Sequence, residues 1–171
     1  MGRDKALLPI DGSPLAAFVA RLVAQAAGSA ALVGSARRHG MLGFPVIEDR
    51  YPGQGPLGGI VTALESSAAD WNLIVACDMP RLSAPFLTSL LEAAAVSGAD
   101  ALIPTGPQGR MEPLCAVYHR RARSALAGAL DRGTRKVSLA LRDVRVAALD
   151  VTEVSHFCNV NTAEEWAARD Q

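Results

Sequence analysis

The run Asn72-Leu-Ile-Val-Ala-Cys-Asp78-Met-Pro80 decides how this chain is read, because its apolar residues, Leu73 to Cys77, stop abruptly at a carboxylate and a proline. Apolar residues without alternation are the pattern of a short strand buried on both faces, as in a sheet covered by helices on either side. Ligands of open α/β sheets sit beyond the carboxyl ends of the strands. Asp78 is therefore either a group that meets substrate or metal, or the cap of a turn closed by Pro80.

Strands alternate with helices on both sides of this run. Toward the C-terminus, Ser83 to Val96 reads as a helix, with Ser83 as cap, Phe86, Leu87, Leu90 and Leu91 at helical spacing, and Gly98 as the stop. Ala99–Pro104 and Glu112–Tyr118 read as strands. No helical pattern separates them, so one antiparallel pairing is expected there. Arg120–Leu130 reads as a helix whose arginines face solvent, Val137–Leu141 as a second short helix, and Val144–Leu149 as a strand. A capping box, Thr162-Ala-Glu-Glu165, starts a last helix with Trp166 on its buried side.

Toward the N-terminus, Ile60, Val61 and Leu64 stripe a helix that ends near Ser66. The loop before it, Arg50-Tyr-Pro-Gly-Gln-Gly-Pro56, holds too much glycine and proline for regular structure. Gly58 and Gly59 at the helix start would let a ligand approach unpaired N–H groups at the positive end of the helix dipole. Pro45–Asp49 and Ala30–Gly34 read as short strands, the former also ending on carboxylates. Arg37-Arg38-His39 reads as a solvated basic loop in preference to a phosphate contact. Leu15, Phe18, Val19, Leu22 and Val23 mark the first helix, with Ser13 as cap, Pro14 at its first position and Gly28 at its end. The expectation is one three-layer α/β/α domain with a doubly wound, mostly parallel sheet.

Composition narrows the function classes. The chain has 171 residues, enough for one domain with a substantial core, and 17 basic against 17 acidic residues, so no overall field recruits nucleic acid or an anionic membrane. Its 3 cysteines, Cys77, Cys115 and Cys158, lie in apolar runs and read as buried thiols of a reducing compartment, neither a disulfide framework nor a zinc site. No apolar run reaches the ~18 residues of a membrane span, and the charged N-terminus does not suit a signal peptide, so a cytoplasmic protein is expected.

The candidate chemistry is that of a nucleotide site. Lys5 and backbone amides suit phosphate binding, the loop residues Gly55, Pro56, Leu57 and Gly58 suit nucleotide binding, and strand-end Asp49 and Asp78 suit the hard Mg²⁺ that bridges phosphate oxygens. Asn159 and Asn161 share one side of an extended segment, where they either read a polar ligand or bridge loops. His39, His119 and His156 lie in unrelated contexts, so no Ser-His-Asp arrangement competes, and His119 reads as a surface histidine.

Met1-Gly-Arg-Asp-Lys5-Ala-Leu-Leu, the Asp49–Gly59 loop with Gly55-Pro-Leu-Gly-Gly59, Cys77-Asp-Met-Pro80 and Phe157-Cys-Asn-Val-Asn-Thr162 come in the order found in the molybdenum cofactor guanylyltransferases, which the whole chain resembles. The resemblance implies a Rossmann-like nucleotidyltransferase fold and Mg²⁺-dependent transfer of GMP from GTP to molybdopterin, with release of pyrophosphate. It implies that Lys5 binds the GTP phosphates, Asp49 contacts the nucleotide, Asp78 holds Mg²⁺, residues 55–59 line the guanosine pocket, and Asn159 and Asn161 face the pterin. Partner proteins of the cofactor pathway are implied as well.

Two departures from the family pattern bear on the site. The family's motif starts with a strand and a Leu-x-Gly-Gly phosphate loop, whereas this sequence opens at the Met that follows them; a start site assigned too far downstream, or a trimmed chain, is the expectation. Gly34 stands where the family can carry an Asn that contacts the nucleotide, leaving that contact to backbone or water. Two other readings remain open at this point: a sister enzyme that loads CTP on molybdopterin or an NTP on a sugar phosphate, and a non-catalytic nucleotide-binding domain.

Overall fold

The structure, a computed structural model, describes residues 4–10 and 12–158. Asp4 caps a single 3-10 turn, Lys5–Leu7, its Oδ1 accepting from the Ala6 N–H at 3.2 Å. Strands β1 (Pro9–Ile10) and β2 (Ser13–Pro14) pair antiparallel and lead into helix α1 (Leu15–Ala27). Ser13 does not cap α1 as the sequence suggested: it is paired with Ile10 in that ladder, and Pro14 occupies the N-cap without a side-chain bond. Gly28 ends the helix at φ 80°, a left-handed turn that a side chain would resist.

Next come β3 (Leu32–Val33), α2 (Ala36–His39), β4 (Val46–Ile47), α3 (Gly55–Ser66), β5 (Trp71–Val75) and α4 (Ala84–Val96). They are followed by β6 (Ala101–Thr105), β7 (Cys115–His119), α5 (Arg123–Asp131), α6 (Val137–Ala140) and β8 (Val146–Asp150). The basic stretch expected as a loop is the short helix α2, whose last residue turns back toward Asp4. At α4 the expected cap is present, Ser83 Oγ accepting from the Phe86 N–H at 3.4 Å.

The main sheet has the order β5-β7-β6-β8. β5, β6 and β8 run one way and β7 runs against them, with Ala101 of β6 opposite Tyr118 of β7 in the expected antiparallel pairing. β3 and β4 form a separate parallel pair. Alternation along β6 and β7 divides the core into two faces. Ala101, Ile103, Ala116 and Tyr118 pack on α3, α5 and α6, while Leu102, Cys115 and Val117 pack on α4, with α1 behind them. Helix, sheet and helix make three layers.

β5 departs from expectation. It ends at Val75, two residues before Cys77, and all of its residues are half-buried. The reason is its position: among the described residues β5 pairs only with β7, so it is the outer strand, and the fully buried strands are β6 and β7. Cys158, expected to be buried, is exposed. His119, expected at the surface, is buried, with its ring edge-on to Trp71 at 4.8 Å and its Nδ1 accepting from the Arg121 N–H at 3.0 Å. The capping box at Thr162 and the last helix lie outside the described residues. Among those described, no helix is long and apolar enough to cross a membrane.

Candidate active site

The carboxyl end of β5 is anchored by burial. The Ala76 N–H donates to Leu114 O at 2.7 Å, and the buried Met79 and Leu82 pack into the core beside α4, which fixes the turn carrying Asp78. Asp78 is half-buried and, among the described residues, has neither a hydrogen bond nor an ion pair. Its neighbour Cys77 packs against Ala6, Ala16, Ala17 and Leu42. Ala6 follows Lys5 directly, so one small apolar cluster holds the lysine segment and the aspartate turn together.

The electrostatics agree with this placement. Burial pushes the Cys77 thiol up to about 11, the charges of Asp78 and Asp4 push the same way, and Lys5 opposes them. Lys5 and Asp78 thus act on the same sulfur. The thiol itself stays protonated at neutral pH and is no nucleophile.

Asp4 extends the group. Its Oδ2 lies 3.3 Å from His39 Nε2, and the His39 ring stands where a side chain at position 34 would project: a Cβ on Gly34 would lie 3.0 Å from Nδ1. Gly34 is tied through its N–H to Ile47 O at 2.9 Å, which places it at the carboxyl end of the β3–β4 pair. The space beside Gly34 is occupied by imidazole.

Asp49 closes β4 and organises the glycine-rich loop. Its Oδ1 accepts from the Tyr51 N–H at 3.0 Å and from Thr62 Oγ1 at 3.2 Å, and Thr62 Oγ1 also accepts from the Arg50 N–H at 3.2 Å. Thr62 is wholly buried, so it ties this loop to α3. Gly55 opens α3 at φ 70°, a conformation suited to glycine, and Pro56 occupies its first turn. Leu57 is fully buried in the core. A Cβ on Gly58 would lie 2.9 Å from Tyr51 Cβ and 3.0 Å from Tyr51 O, so α3 passes too close over the loop for any side chain there. Gln54 stands at the N-cap with its Oε1 buried and lacking a hydrogen-bond partner among the described residues.

Beyond the carboxyl end of β6 lies a cavity of about 500 Å³, walled by Gly106, Pro107, Arg110, Glu112, Val154 and Phe157. It adjoins the Asp78 turn: Phe157 packs in the same cluster as Met79, and His156 Nδ1 lies 3.2 Å from Arg81 O.

Of the residues singled out in the sequence, Lys5 and Asp78 come together around Cys77. Gly34 joins them through His39 and Asp4, while Asp49 and residues 55–58 form a second wall built on the end of β4. Asn159 and Asn161 lie outside the described residues. Among those described, no three acidic, histidine or cysteine side chains cluster as a metal cage. A lone unpaired carboxylate still fits Mg²⁺, which takes one or two carboxylates and completes its octahedron with phosphate oxygens and water. Thr62, Gln54, Arg110 and Glu112 carried no sequence signal, because the role of each is set by surroundings that the fold supplies.

Residues 1–146 match the MobA-like NTP transferase domain family. A probable molybdenum cofactor guanylyltransferase of Bacillus cereus is 34% identical, with 96% of this chain and 86% of that one covered. A molybdenum cofactor guanylyltransferase of Vibrio atlanticus is 30% identical, covering 96% and 85%. The crystal structure of molybdopterin-guanine dinucleotide biosynthesis protein A from Archaeoglobus fulgidus superposes with a TM-score of 0.78 at 25% identity, over 98% of this chain and 89% of that one. A cytidylyltransferase from Thermus thermophilus, at 19% identity and a TM-score of 0.71, shares the Rossmann-like fold.

Proposed function

The chain belongs to the MobA-like NTP transferase family, and from that premise we propose that it transfers GMP from GTP to molybdopterin, forming the guanine dinucleotide cofactor and releasing pyrophosphate. One observation carries the reading: a lysine and a carboxylate without a hydrogen bond or ion pair among the described residues, from opposite ends of the chain's first half, converge on Cys77 just beyond β5. In-line attack by a phosphate on the α-phosphorus needs no protein nucleophile. It needs the triphosphate held and its charge neutralised. Lys5 binds the phosphate oxygens, and Asp78 would hold Mg²⁺. When bound, that ion would neutralise charge on the transferring phosphate.

The base is assigned to the wall formed by Asp49, Gly55, Pro56, Leu57 and Gly58. There the first N–H groups of α3 are free of intrahelical partners, and Gly58, buried beneath Tyr51, holds the loop against the helix start. Gln54 Oε1 at that N-cap, buried and without a partner among the described residues, supports a base edge rich in hydrogen-bond donors, which guanine provides through its ring N–H and amino group. Gly34 leaves the adjacent wall to the His39 ring. Asn159 and Asn161 are assigned to the pterin side.

A thermal-shift titration with GTP, CTP and ATP, each with and without Mg²⁺, tests the assignment. A nucleotide at a hundred times its Kd stabilises by about 2.7 kcal/mol. GTP with Mg²⁺ is expected to give the largest rise in Tm. A larger rise with CTP would overturn the base assignment, and equal shifts without Mg²⁺ would overturn the metal.

A further inference from the structure

Arg110 and Glu112 stand outside the nucleotide site, yet they are held as though for a ligand. Arg110 Nε lies 2.9 Å from Glu112 Oε1, and the two side chains differ sharply in exposure, 75% for Arg110 against 12% for Glu112. Because the pair uses Nε, both Nη groups of the guanidinium are left without a partner among the described residues. The backbone beneath is fixed. The Gly106 N–H donates to Arg110 O at 2.9 Å, the Glu112 N–H donates to Pro104 O at 2.9 Å, and Gln108 between them is held at φ 63°, in the left-handed region. Gly106 lies flush against the opposite wall, where a Cβ would meet Val154 Cγ1 at 3.3 Å.

We propose that the cavity beyond β6 is the acceptor subsite, that Arg110 binds the acceptor's anionic group through its two Nη atoms, and that Glu112 is the positioning residue that aims the guanidinium. This rests on the guanylyltransferase reading above. A guanidinium tethered by Nε presents a planar pair of donors that matches two oxygens of a phosphate. Its tether is a carboxylate sunk in the cavity wall, so the fork keeps one orientation. Val154 and Phe157 supply the apolar surface for the body of the acceptor, and about 500 Å³ is ample for a phosphorylated heterocycle. The arrangement also answers a problem of charge. Bringing a phosphate nucleophile up to a triphosphate sets two anions together, and Arg110 offsets the incoming one as Lys5 offsets the resident one.

The test uses molybdopterin as the probe and two readouts on the full chain: equilibrium binding followed by pterin fluorescence without nucleotide, and steady-state transfer with GTP and Mg²⁺. Arg110→Met is expected to weaken molybdopterin binding tenfold or more and to raise the acceptor KM alike, with the GTP KM changed less than twofold. Arg110→Lys is expected to fall between, since a lysine cannot supply the fork. Glu112→Gln is expected to raise the acceptor KM severalfold with the GTP KM unchanged, a split that a purely structural staple would not give. Arg110→Met paired with Glu112→Gln removes the stranded carboxylate and keeps the comparison valid if the single variant is unstable. Unchanged molybdopterin binding in Arg110→Met overturns the inference and leaves the guanylyltransferase reading standing. Tight molybdopterin binding by wild type without any transfer overturns that reading and leaves the subsite. Failure of wild type to bind molybdopterin overturns the subsite assignment.

Discussion

Asp100 sits between two guanidinium groups at the end of the sheet away from the site. Arg145 donates to it from Nε at 2.9 Å and from Nη2 at 3.0 Å, and Arg121 donates from Nε at 2.9 Å. These bonds, Arg145's first among them, hold its carboxyl at about 2, below the usual 3.8, although partial burial pushes the other way. A folded-state value below the unfolded one means that the folded chain binds fewer protons as the pH falls. The stabilisation is therefore complete above pH 3.8 and is lost progressively down to about pH 2. Both guanidinium groups are more than half exposed, at 54% and 68%, so solvent screening discounts the full shift to about 1 kcal/mol. Urea titrations of Asp100→Asn are expected to show about 1 kcal/mol less stability than wild type at pH 7 and only a small fraction of that deficit at pH 2. An equal deficit at both pH values would count against the ion-pair account. This pin was not legible in the sequence: Arg145 is 45 positions from its partner, and periodicity speaks only of neighbours a turn away.

At the scale of elements, the sequence was most informative where local chemistry decides. The spacing of Leu87 and Leu90, the Ser83 cap and the positive φ of Gly98 define α4 almost as read. The apolar strand without an intervening helix gave the β6–β7 pairing. It was least informative where tertiary contacts decide. Ser13 was drawn into a ladder, Arg37 to His39 coiled into α2, and β5 surrendered its last two residues to the turn that carries Asp78. The glycine-rich entrance to α3 was recognised, but its reason was not. Gly58 is needed because α3 crosses Tyr51 at van der Waals limit, and Thr62, which locks Asp49 to that helix, carries no motif at all. Gly58→Ala is expected to destabilise by about 1–3 kcal/mol, since the added methyl meets a carbonyl oxygen that cannot yield without moving the loop. Chemical denaturation measures this. The same variant is expected to weaken GTP binding, and wild-type stability in Gly58→Ala would show that the loop is looser than described.

For the molecule as a whole, the layers bring the described candidate groups toward strand ends. β5 delivers Asp78, the β3–β4 pair delivers Gly34 and Asp49, β6 delivers the cavity, and the segment before β1 brings Lys5 back onto the end of β5. The sequence supplied these residues one by one, while their convergence depends on an apolar cluster of Ala6, Ala16, Ala17 and Leu42 around Cys77 that no motif announces. On the proposed reading, two anionic substrates would meet between two cations, Lys5 and Arg110, with Asp78 as the place for the divalent ion. The most direct measurement is turnover of GTP and molybdopterin by Asp78→Asn, alongside its melting temperature. Removing the carboxylate charge is expected to lower kcat by about 100-fold or more while Tm stays within about 2 °C of wild type, because Asp78 makes no hydrogen bond or ion pair among the described residues. An Asp78→Asn chain that turns over at the wild-type rate would contradict the account at its centre.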